Sequence, residues 1–193
     1  MPKLETDLTT AATAERRFEQ IHEECFEAVR RYAWRRDPDS ADDVVAETFL
    51  VAWRRLDEVP QESLPWLIGV ARNVRLNLVR SQRRQKNVAH ALRGAIPSTS
   101  PASDENLVQG LPEPIAAALV ALSPLDREVL LLHAWEELGR GEIAVALHCS
   151  KANVSVRLHR AKRRLERALQ DASASKDADR LVVTTSEGAN HGC

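Results

Sequence analysis

Residues 37–84 combine a helical repeat of apolar side chains with a sharp segregation of charge. The stretch opens with acidic residues and contains no basic residue before Arg54. It closes with basic residues, and no acidic residue occurs from residue 63 to residue 103. Because a solvated surface ordinarily mixes both signs, we expect two neighbouring helices that offer opposite charges to different partners. This pattern indicates a protein that bridges another protein and a nucleic acid.

The composition favours an all-α fold. The 193 residues include only 7 Gly, strand-like runs are few, and the abundant Ala, Leu and Arg are good helix formers. A hydrophobic share of 44 % and a charged share of 28 % are typical of globular proteins, and the length allows one medium domain or two small ones. The net charge of −1 hides the local segregation, so nucleic-acid binding has to be inferred from charged runs.

The cysteines and the apolar runs bear on the compartment. Cys25, Cys149 and Cys193 are odd in number and lack a spaced framework, which argues against a disulfide scaffold and favours a reducing environment. Residues 1–13 lack the apolar core of a signal peptide, and no apolar run is long enough to span a membrane. We therefore expect a cytoplasmic protein without membrane insertion.

The first helix of the 37–84 stretch has two different faces. At about 100° per residue, the positions predicted to face inward are Val45, Thr48, Phe49, Ala52, Trp53 and Leu56. The opposite side, called the acidic face below, consists of Asp43, Ala46, Glu47 and Leu50. Two carboxylates beside an outward leucine favour a contact site. The alternative is that Asp42 and Asp43 merely stabilise a helix N-terminus.

The second helix of the stretch, called the basic helix, is cationic on one side. Ser63 can cap it, and Pro65 suits its first turn. Its inward positions are predicted to be Leu67, Val70, Ala71, Val74 and Leu78. Its outer arc is predicted to carry Arg72, Arg75, Arg83 and Lys86, with Asn73 and Arg80 at the edge. A one-sided basic face is typical of phosphate binding, the alternative being ordinary solvated charges.

Breaks in the apolar repeat divide the chain into segments. We expect a helical domain at 14–90, a Pro- and Ser-rich flexible linker at 91–111, a second helical domain at 112–170 and a disordered polar tail at 171–193. The leading helix is predicted to begin near Ala14, after a loose start, and to end at Arg36 before the Asp-Pro-Asp-Ser run.

The second domain contains a helix-turn-helix pattern. A short helix is predicted from Glu142 to about Leu147, followed by a turn at His148 to Ser150 and then by a long helix. The long helix is strongly basic, with Glu166 as its one acidic residue as far as Leu169. We interpret this pair of helices as a DNA-binding unit, the alternative being a basic hairpin without that role.

The 37–84 stretch and the helix-turn-helix segment together resemble the extracytoplasmic-function sigma factors, the small initiation subunits of bacterial RNA polymerase. DPDSADDVVAETFLVAWRRL followed by LPWLIGVARNVRLNLVR is similar to their region 2, and LSPLDREVLLLHAWEELGRGEIAVAL followed by SKANVSVRLHRAKRRLERAL is similar to region 4. The resemblance covers about Phe18 to Leu169 apart from the linker. It implies two small helical domains, a region 2 bundle and a region 4 helix-turn-helix, that initiate transcription by −35 recognition and by −10 capture and melting.

The resemblance also implies roles for individual residues. The core-polymerase contacts correspond to Asp43, Ala46, Glu47 and Leu50, with Ala46 standing where Gln is common. The −10 DNA contacts correspond to Asp57, Glu58, Ser63, Trp66, Arg72, Asn73, Arg75 and Arg80. The −35 DNA contacts correspond to Lys151, Asn153, Ser155, Val156, Arg157, His159, Arg160 and Arg163. Among the latter, Lys151 and Arg157 are expected to meet phosphates. His148 stands where the family often has glycine in the turn.

The partners that the resemblance implies are the clamp helices of the largest polymerase subunit, the flap of the second-largest subunit, promoter DNA and an anti-sigma factor.

No cofactor, metal or catalytic residue is expected. A metal site in particular is not indicated, because no set of four ligands at paired spacing occurs around Cys25 or Cys149. Cys25 is instead predicted to lie in the core.

Two other functional classes remain as alternatives to a sigma factor. An enzyme would require a pocket of convergent carboxylates and His, and a dimeric helix-turn-helix repressor or activator would bind duplex DNA without polymerase.

Overall fold

Eight α-helices and no strand make up the described parts of the chain, residues 2–92 and 105–187, in the computed structural model. The helices are α1 (Pro2–Arg36), α2 (Ala41–Arg54), α3 (Ser63–Leu92), α4 (Glu105–Val108), α5 (Glu113–Val120), α6 (Pro124–Ala134), α7 (Arg140–Ala146) and α8 (Lys151–Glu187). Short 3₁₀ turns follow α1 at Pro38–Ser40 and α2 at Leu56–Glu58. The all-α fold expected from the sequence is confirmed.

Helices α1, α2 and α3 form the first half of the molecule and pack around one apolar core. Its buried side chains include Val29 and Tyr32 of α1, Val44, Phe49 and Ala52 of α2, and Leu67, Ile68 and Ala71 of α3. The helical repeat therefore predicted most inward positions correctly. Trp53 is the exception, since it is 44 % exposed. Its ring lies at the edge of the core, where it meets Phe18 edge-on with centroids 5.2 Å apart.

Three helices are longer than predicted. Helix α1 begins at Pro2 rather than near Ala14, and the segment expected as a disordered tail is helical to Glu187. Neither extension contains a Gly or Pro after Pro2, so nothing in them stops a helix that has already nucleated. The basic helix α3 likewise continues to Leu92. Most of the expected linker, residues 93–104, and the last residues of the tail, 188–193, lie outside the described residues.

Helices α4 to α8 form the second half, in which α7 and α8 make the expected helix-turn-helix. The hydroxyl of Ser123 accepts a hydrogen bond from the Asp126 N–H and caps α6. In the turn between α7 and α8, His148 has φ +49°, the left-handed region that usually selects glycine. The turn thus tolerates a side chain, as the sequence required. None of the helices in the described ranges has the length and apolar character needed to cross a membrane.

The two halves contact each other closely through α3 and α7. At Gly69 of α3, an added Cβ would lie 2.7 Å from the carbonyl oxygen of Ala146 in α7. Glycine is therefore required for this approach of the two helices. Leu107, in the last part of the predicted linker, is also buried and joins the same core. A continuous buried core thus connects segments that the sequence suggested as separate domains.

Candidate functional site

The acidic face is fully presented on the surface of α2. Asp43, Ala46 and Glu47 are exposed, and Leu50 is 40 % exposed. Asp42 and Asp43 lie in the first turn of α2, where carboxylates also favour the positive end of the helix dipole. Glu47 additionally borders a groove of about 530 Å³ between α2 and α3, whose far wall includes Asn73 and Arg84. The acidic face and the basic helix therefore share one groove.

The loop between α2 and α3 and the first turn of α3 place four candidate residues in different environments. Asp57 and Glu58 are exposed, and Glu58 pairs with Arg55, whose hydrogen bond holds the pKa of that carboxyl below its usual range. Trp66 is half-buried, with the Arg55 guanidinium 5.8 Å from its ring centroid. Ser63 is buried instead, and its hydroxyl donates to the Pro60 carbonyl at 2.9 Å. A contact between Ser63 and a ligand would require that loop to rearrange.

The basic helix differs from its prediction at one arginine. Asn73 and Arg80 are exposed as expected, and Arg80 donates to the side-chain oxygen of Asn77 at 3.3 Å. Arg72 is half-buried, and Arg75 is only 7 % exposed. The placement of Arg75 on an outer, solvent-facing arc was therefore wrong. Arg75 instead lines a cavity between α3 and α6 of the second half, and the period of α3 cannot reveal that α6 lies on this side.

A buried ion cluster joins the two halves and was not predicted. Arg36 of α1 is 0 % exposed and lies 3.0 Å from Glu136 and 3.6 Å from Glu128. The Tyr32 hydroxyl donates to Glu128 at 3.1 Å, and the Arg36 guanidinium sits 3.7 Å from the Tyr32 ring centroid. Arg35 adds a second ion pair to Glu136 at 3.1 Å. The ion cluster consists of Tyr32, Arg35, Arg36, Glu128 and Glu136.

The electrostatics of the ion cluster favour an ionised Glu128. Burial by itself raises the pKa of the Glu128 carboxyl, but the charges of Arg36, Arg75 and Arg72 together hold that pKa below its ordinary value. Burial and the neighbouring Glu128 raise the pKa of Tyr32, which stays protonated and donates. A carboxyl whose pKa is lowered by folding contributes stability above its unfolded pKa and loses it as the pH falls. The cluster is thus fully formed at neutral pH.

The outer face of α8 presents most of its candidate residues to solvent. Those that are exposed are Lys151, Asn153, Val156, His159, Arg160 and Arg163. Val156, an apolar side chain, is 57 % exposed within this polar face, as expected where a contact is made. Ser155 is half-buried and donates to the Lys151 carbonyl at 2.9 Å.

Arg157 is engaged inside the protein. Its guanidinium lies 2.9 Å from the buried carboxylate of Asp126 in α6 and also donates to Asn153 at 2.9 Å. These bonds anchor α8 on α6 and orient the exposed side chains of α8. A phosphate contact by Arg157 would have to compete with Asp126.

His22 and Cys25, which are of residue types that bind metals, take part in packing. Among residues that the structure describes, no group of three or more His, Cys, Asp or Glu is placed to hold a metal ion. The half-buried His22 ring packs at a tilt against Phe26 and Phe49, with centroids 4.9 and 4.7 Å away. Cys25 is buried, as predicted, and burial raises the pKa of its thiol. Cys25 therefore belongs to the core of the first half, and His22 lies at its edge.

Comparisons with known proteins match both halves. The family model described as Sigma-70 region 2 matches residues 18–85, and that described as Sigma-70, region 4 matches residues 113–165. RNA polymerase sigma factor NccH of Alcaligenes xylosoxydans xylosoxydans is 32 % identical over 150 residues, which cover 70 % of this chain and 76 % of NccH. The ECF RNA polymerase sigma factor SigL of Mycobacterium tuberculosis is 31 % identical over 161 residues, 81 % of this chain and 90 % of SigL.

A solved structure shares the fold across both halves. CnrH, a sigma factor of Cupriavidus metallidurans, in complex with the cytosolic domain of CnrY has a TM-score of 0.58 and 27 % identity. The match covers 84 % of this chain and 95 % of CnrH. The similarity therefore includes the segments on both sides of the ion cluster.

Proposed function

The chain belongs to the extracytoplasmic-function sigma factors of bacterial RNA polymerase, and we propose that it divides promoter recognition among three of its surfaces. The acidic face docks on the clamp helices of the largest polymerase subunit. The basic helix α3 and the loop before it hold the −10 strand, and the outer face of α8 reads the −35 element while the second half meets the polymerase flap. The observation that carries this division is the separate exposure of Asp43 and Glu47 on α2 and of His159 and Arg160 on α8.

The chemistry of these surfaces is recognition, and no step makes or breaks a covalent bond. Arginine and lysine contacts to phosphates supply affinity that falls with salt. Contacts to base edges supply discrimination of about 1–3 kcal/mol for each good pair. Unstacking and flipping a −10 base costs a few kcal/mol. Binding of the separated strand along the exposed part of α3, including Asn73 and Arg80, offsets that cost.

Initiation also requires the halves to separate. Arg75 is buried at a cavity that is lined by both α3 and α6, so we infer that a −10 strand reaches it only after the second half has moved. The arrangement with the ion cluster formed is then a closed form, and polymerase and promoter favour an open form by binding it better. A partner with the opposite preference, an anti-sigma factor, would stabilise the closed form. CnrH was solved with the cytosolic domain of another protein, which supports a partner of this kind.

The direct test is transcription from genomic DNA by core polymerase, with and without this chain, in the cytoplasmic setting where polymerase acts. Specific transcripts that depend on the chain are expected. Transcripts that are identical in both reactions, together with tight binding of a dimer to duplex DNA alone, would instead establish a polymerase-independent regulator.

Charge reversal on the acidic face is the first specific prediction. Asp43→Arg combined with Glu47→Arg is expected to reduce affinity for core polymerase at least about a hundredfold, because like charges across an interface cost several kcal/mol. The measurement is interferometry with immobilised core polymerase. Glu19→Arg with Glu23→Arg makes the same change at exposed positions of α1 and should leave the affinity near wild type. Equal affinities of the two double variants would remove the docking role from the acidic face.

Loss of one side chain on α8 is the second prediction. Arg160 is exposed near the N-terminal part of α8, where a recognition helix meets base edges. Arg160→Ala should therefore lower initiation by about 1–3 kcal/mol at the preferred −35 sequence and have little effect at −35 variants that already lack the contacted base. The assay is transcription on a panel of single-base −35 variants.

A phosphate contact serves as the control for Arg160. Lys151→Ala, at another exposed position of α8, should weaken DNA binding at all −35 variants alike and reduce the salt slope by about one. If Arg160→Ala behaves in the same uniform way, Arg160 contacts phosphate, and base reading passes to Ser155, Val156 or His159.

A further inference from the structure

A cavity of about 500 Å³ opens between α3 and α6, where the two halves meet. We call it the arginine cavity, because its charged lining among the described residues consists of Arg72, Arg75, Arg80, Arg83, Arg127 and the single carboxylate Glu128. Four of the arginines come from α3 of the first half, whereas Arg127 and Glu128 come from α6 of the second. The cavity therefore exists only while the halves are together.

Two of its arginines have a buried Nε atom that makes no hydrogen bond to any described residue. The Nε atoms of Arg72 and Arg75 are buried and have no hydrogen-bond partner within the described ranges. The lone carboxylate, Glu128, forms its ion pair with Arg36 at 3.6 Å and accepts from Tyr32, so its charge is already shared with the ion cluster. A buried charge is costly unless it is paired and hydrogen-bonded. The carboxylate of Glu128 is thus shared among the charges of Arg36, Arg75 and Arg72.

Arg127 shows that the cavity wall on the second half is rigidly built. Its guanidinium donates to the carbonyl oxygens of Leu119, Val120 and Leu122 at 2.7, 2.9 and 3.1 Å. These bonds hold Arg127 between the end of α5 and α6. An anion entering the cavity would therefore meet Arg127 in a fixed position, and this side chain would need little ordering on binding.

We propose that the arginine cavity binds a small anion with two or more phosphate groups and that this ligand stabilises the closed form. Guanidinium groups match phosphate oxygens in bidentate geometry, and the cavity volume is in the range of small-molecule sites. Because the lining comes from both halves, a ligand bound there favours the closed form by mass action. The site is a place of control by a small molecule, and because Arg72, Arg75 and Arg80 of the basic helix line it, the bound ligand would also keep these arginines from the −10 strand.

The test is calorimetric titration of the full chain with sodium pyrophosphate, and with sodium sulfate at equal ionic strength. One-to-one binding of pyrophosphate at least about tenfold tighter than sulfate is expected, since its second phosphate group accepts further charge-assisted hydrogen bonds from the arginines. Adenosine diphosphate distinguishes the source: tighter binding than pyrophosphate indicates a nucleotide, and equal binding indicates the phosphate chain alone. Pyrophosphate binding no tighter than sulfate binding would overturn the proposal.

Variants locate the bound pyrophosphate. Arg75→Gln removes a guanidinium, and Val79→Glu adds a carboxylate to the lining; each should weaken pyrophosphate binding at least about tenfold. Ser81→Glu adds the same charge to α3 at a position that faces the other groove, and it should change the affinity much less. Circular dichroism verifies that each variant is folded. Wild-type affinity in both Arg75→Gln and Val79→Glu, or equal losses in Val79→Glu and Ser81→Glu, would place pyrophosphate elsewhere.

If pyrophosphate binding requires both halves of the molecule, the arginine cavity can be distinguished from phosphate binding by α3 alone. Gly69→Val, which forces α3 and α7 apart by the contact with Ala146, should abolish pyrophosphate binding but keep the binding of a single-stranded oligonucleotide. Undiminished pyrophosphate affinity in Gly69→Val would show that the anion binds α3 alone and would contradict the proposal. The outcome does not depend on transcription, so it also stands apart from the test of sigma activity.

Discussion

Replacement of Arg36 by methionine is expected to destabilise the closed form by about 3–5 kcal/mol, the usual effect of removing one partner from a buried ion pair. Arg36 is fully buried and contacts both Glu128 and Glu136. Its loss leaves two carboxylates in the interface, with Tyr32 and Arg35 as their remaining partners within the cluster. The halves then gain more by separating, because water can solvate both carboxylates.

Small-angle scattering and urea unfolding measure this result. The radius of gyration of Arg36→Met should rise, and unfolding should divide into separate transitions of the two halves. Arg30→Met makes the same change at an exposed position of α1 whose partner is Glu27, and such surface pairs are worth about 0–1 kcal/mol. An Arg36→Met protein with wild-type scattering and urea midpoint would show that the ion cluster does not hold the halves together.

The same comparison gives a pH dependence with a definite sign. Folding lowers the pKa of Glu128 below its ordinary value of 4.5, chiefly through Arg36 once burial is offset. Its contribution is therefore present above pH 4.5 and decreases as the pH falls below it. The difference in stability between wild type and Arg36→Met should shrink over that acidic range.

Gly69→Val is expected to shift the chain to the open form by steric means alone. An added Cβ would lie 2.7 Å from the Ala146 carbonyl oxygen, and backbone atoms on both sides leave no side-chain rotamer that could relieve the clash. Overpacking of this kind costs about 1–3 kcal/mol or more. Valine is no worse than glycine inside a helix, so α3 itself should stay intact.

Core-polymerase binding and scattering together test the Gly69→Val variant. Its radius of gyration should rise while its helical circular dichroism is kept, and its affinity for core polymerase should increase because the cost of opening has been removed. Gly141→Val is the matched control, since a Cβ at Gly141 of α7 meets no atom within 4 Å. A compact Gly69→Val protein with wild-type affinity would mean that the α3–α7 contact has no part in closing the molecule.

These two substitutions lie at positions that sequence patterns treat very differently. Gly69 stands within the PWLIGVARN motif and was seen only as part of a helix, whereas Arg36 was the last residue of the leading helix. Neither carries a local signal for an interface. Helix α6 is buried on nearly all sides from Asp126 to Leu132, which the inward positions of a single helical face do not predict.

The helical repeat explains which features of this protein could be predicted from the sequence. A repeat of 3.6 residues is a local property, so it correctly separated Phe49 and Ala52 from Glu47 and Leu50 on α2. The motifs on the two halves then sufficed to identify the family. The same reasoning failed for Trp53, which lies at the edge of the predicted inward face and is 44 % exposed.

Which polar faces remain open to a partner depends on how the two halves pack, and this packing is visible only in the tertiary structure. Arg75 and Asn73 belong to the same polar side of α3 in the sequence, yet Arg75 is buried against the second half and Asn73 is exposed. Tyr32 and Glu128 meet across 96 residues of chain. The helical repeat distinguishes the apolar side of a helix from its polar side. Whether another part of the chain covers the polar side depends on contacts distant in sequence, and these form only when the two halves come together.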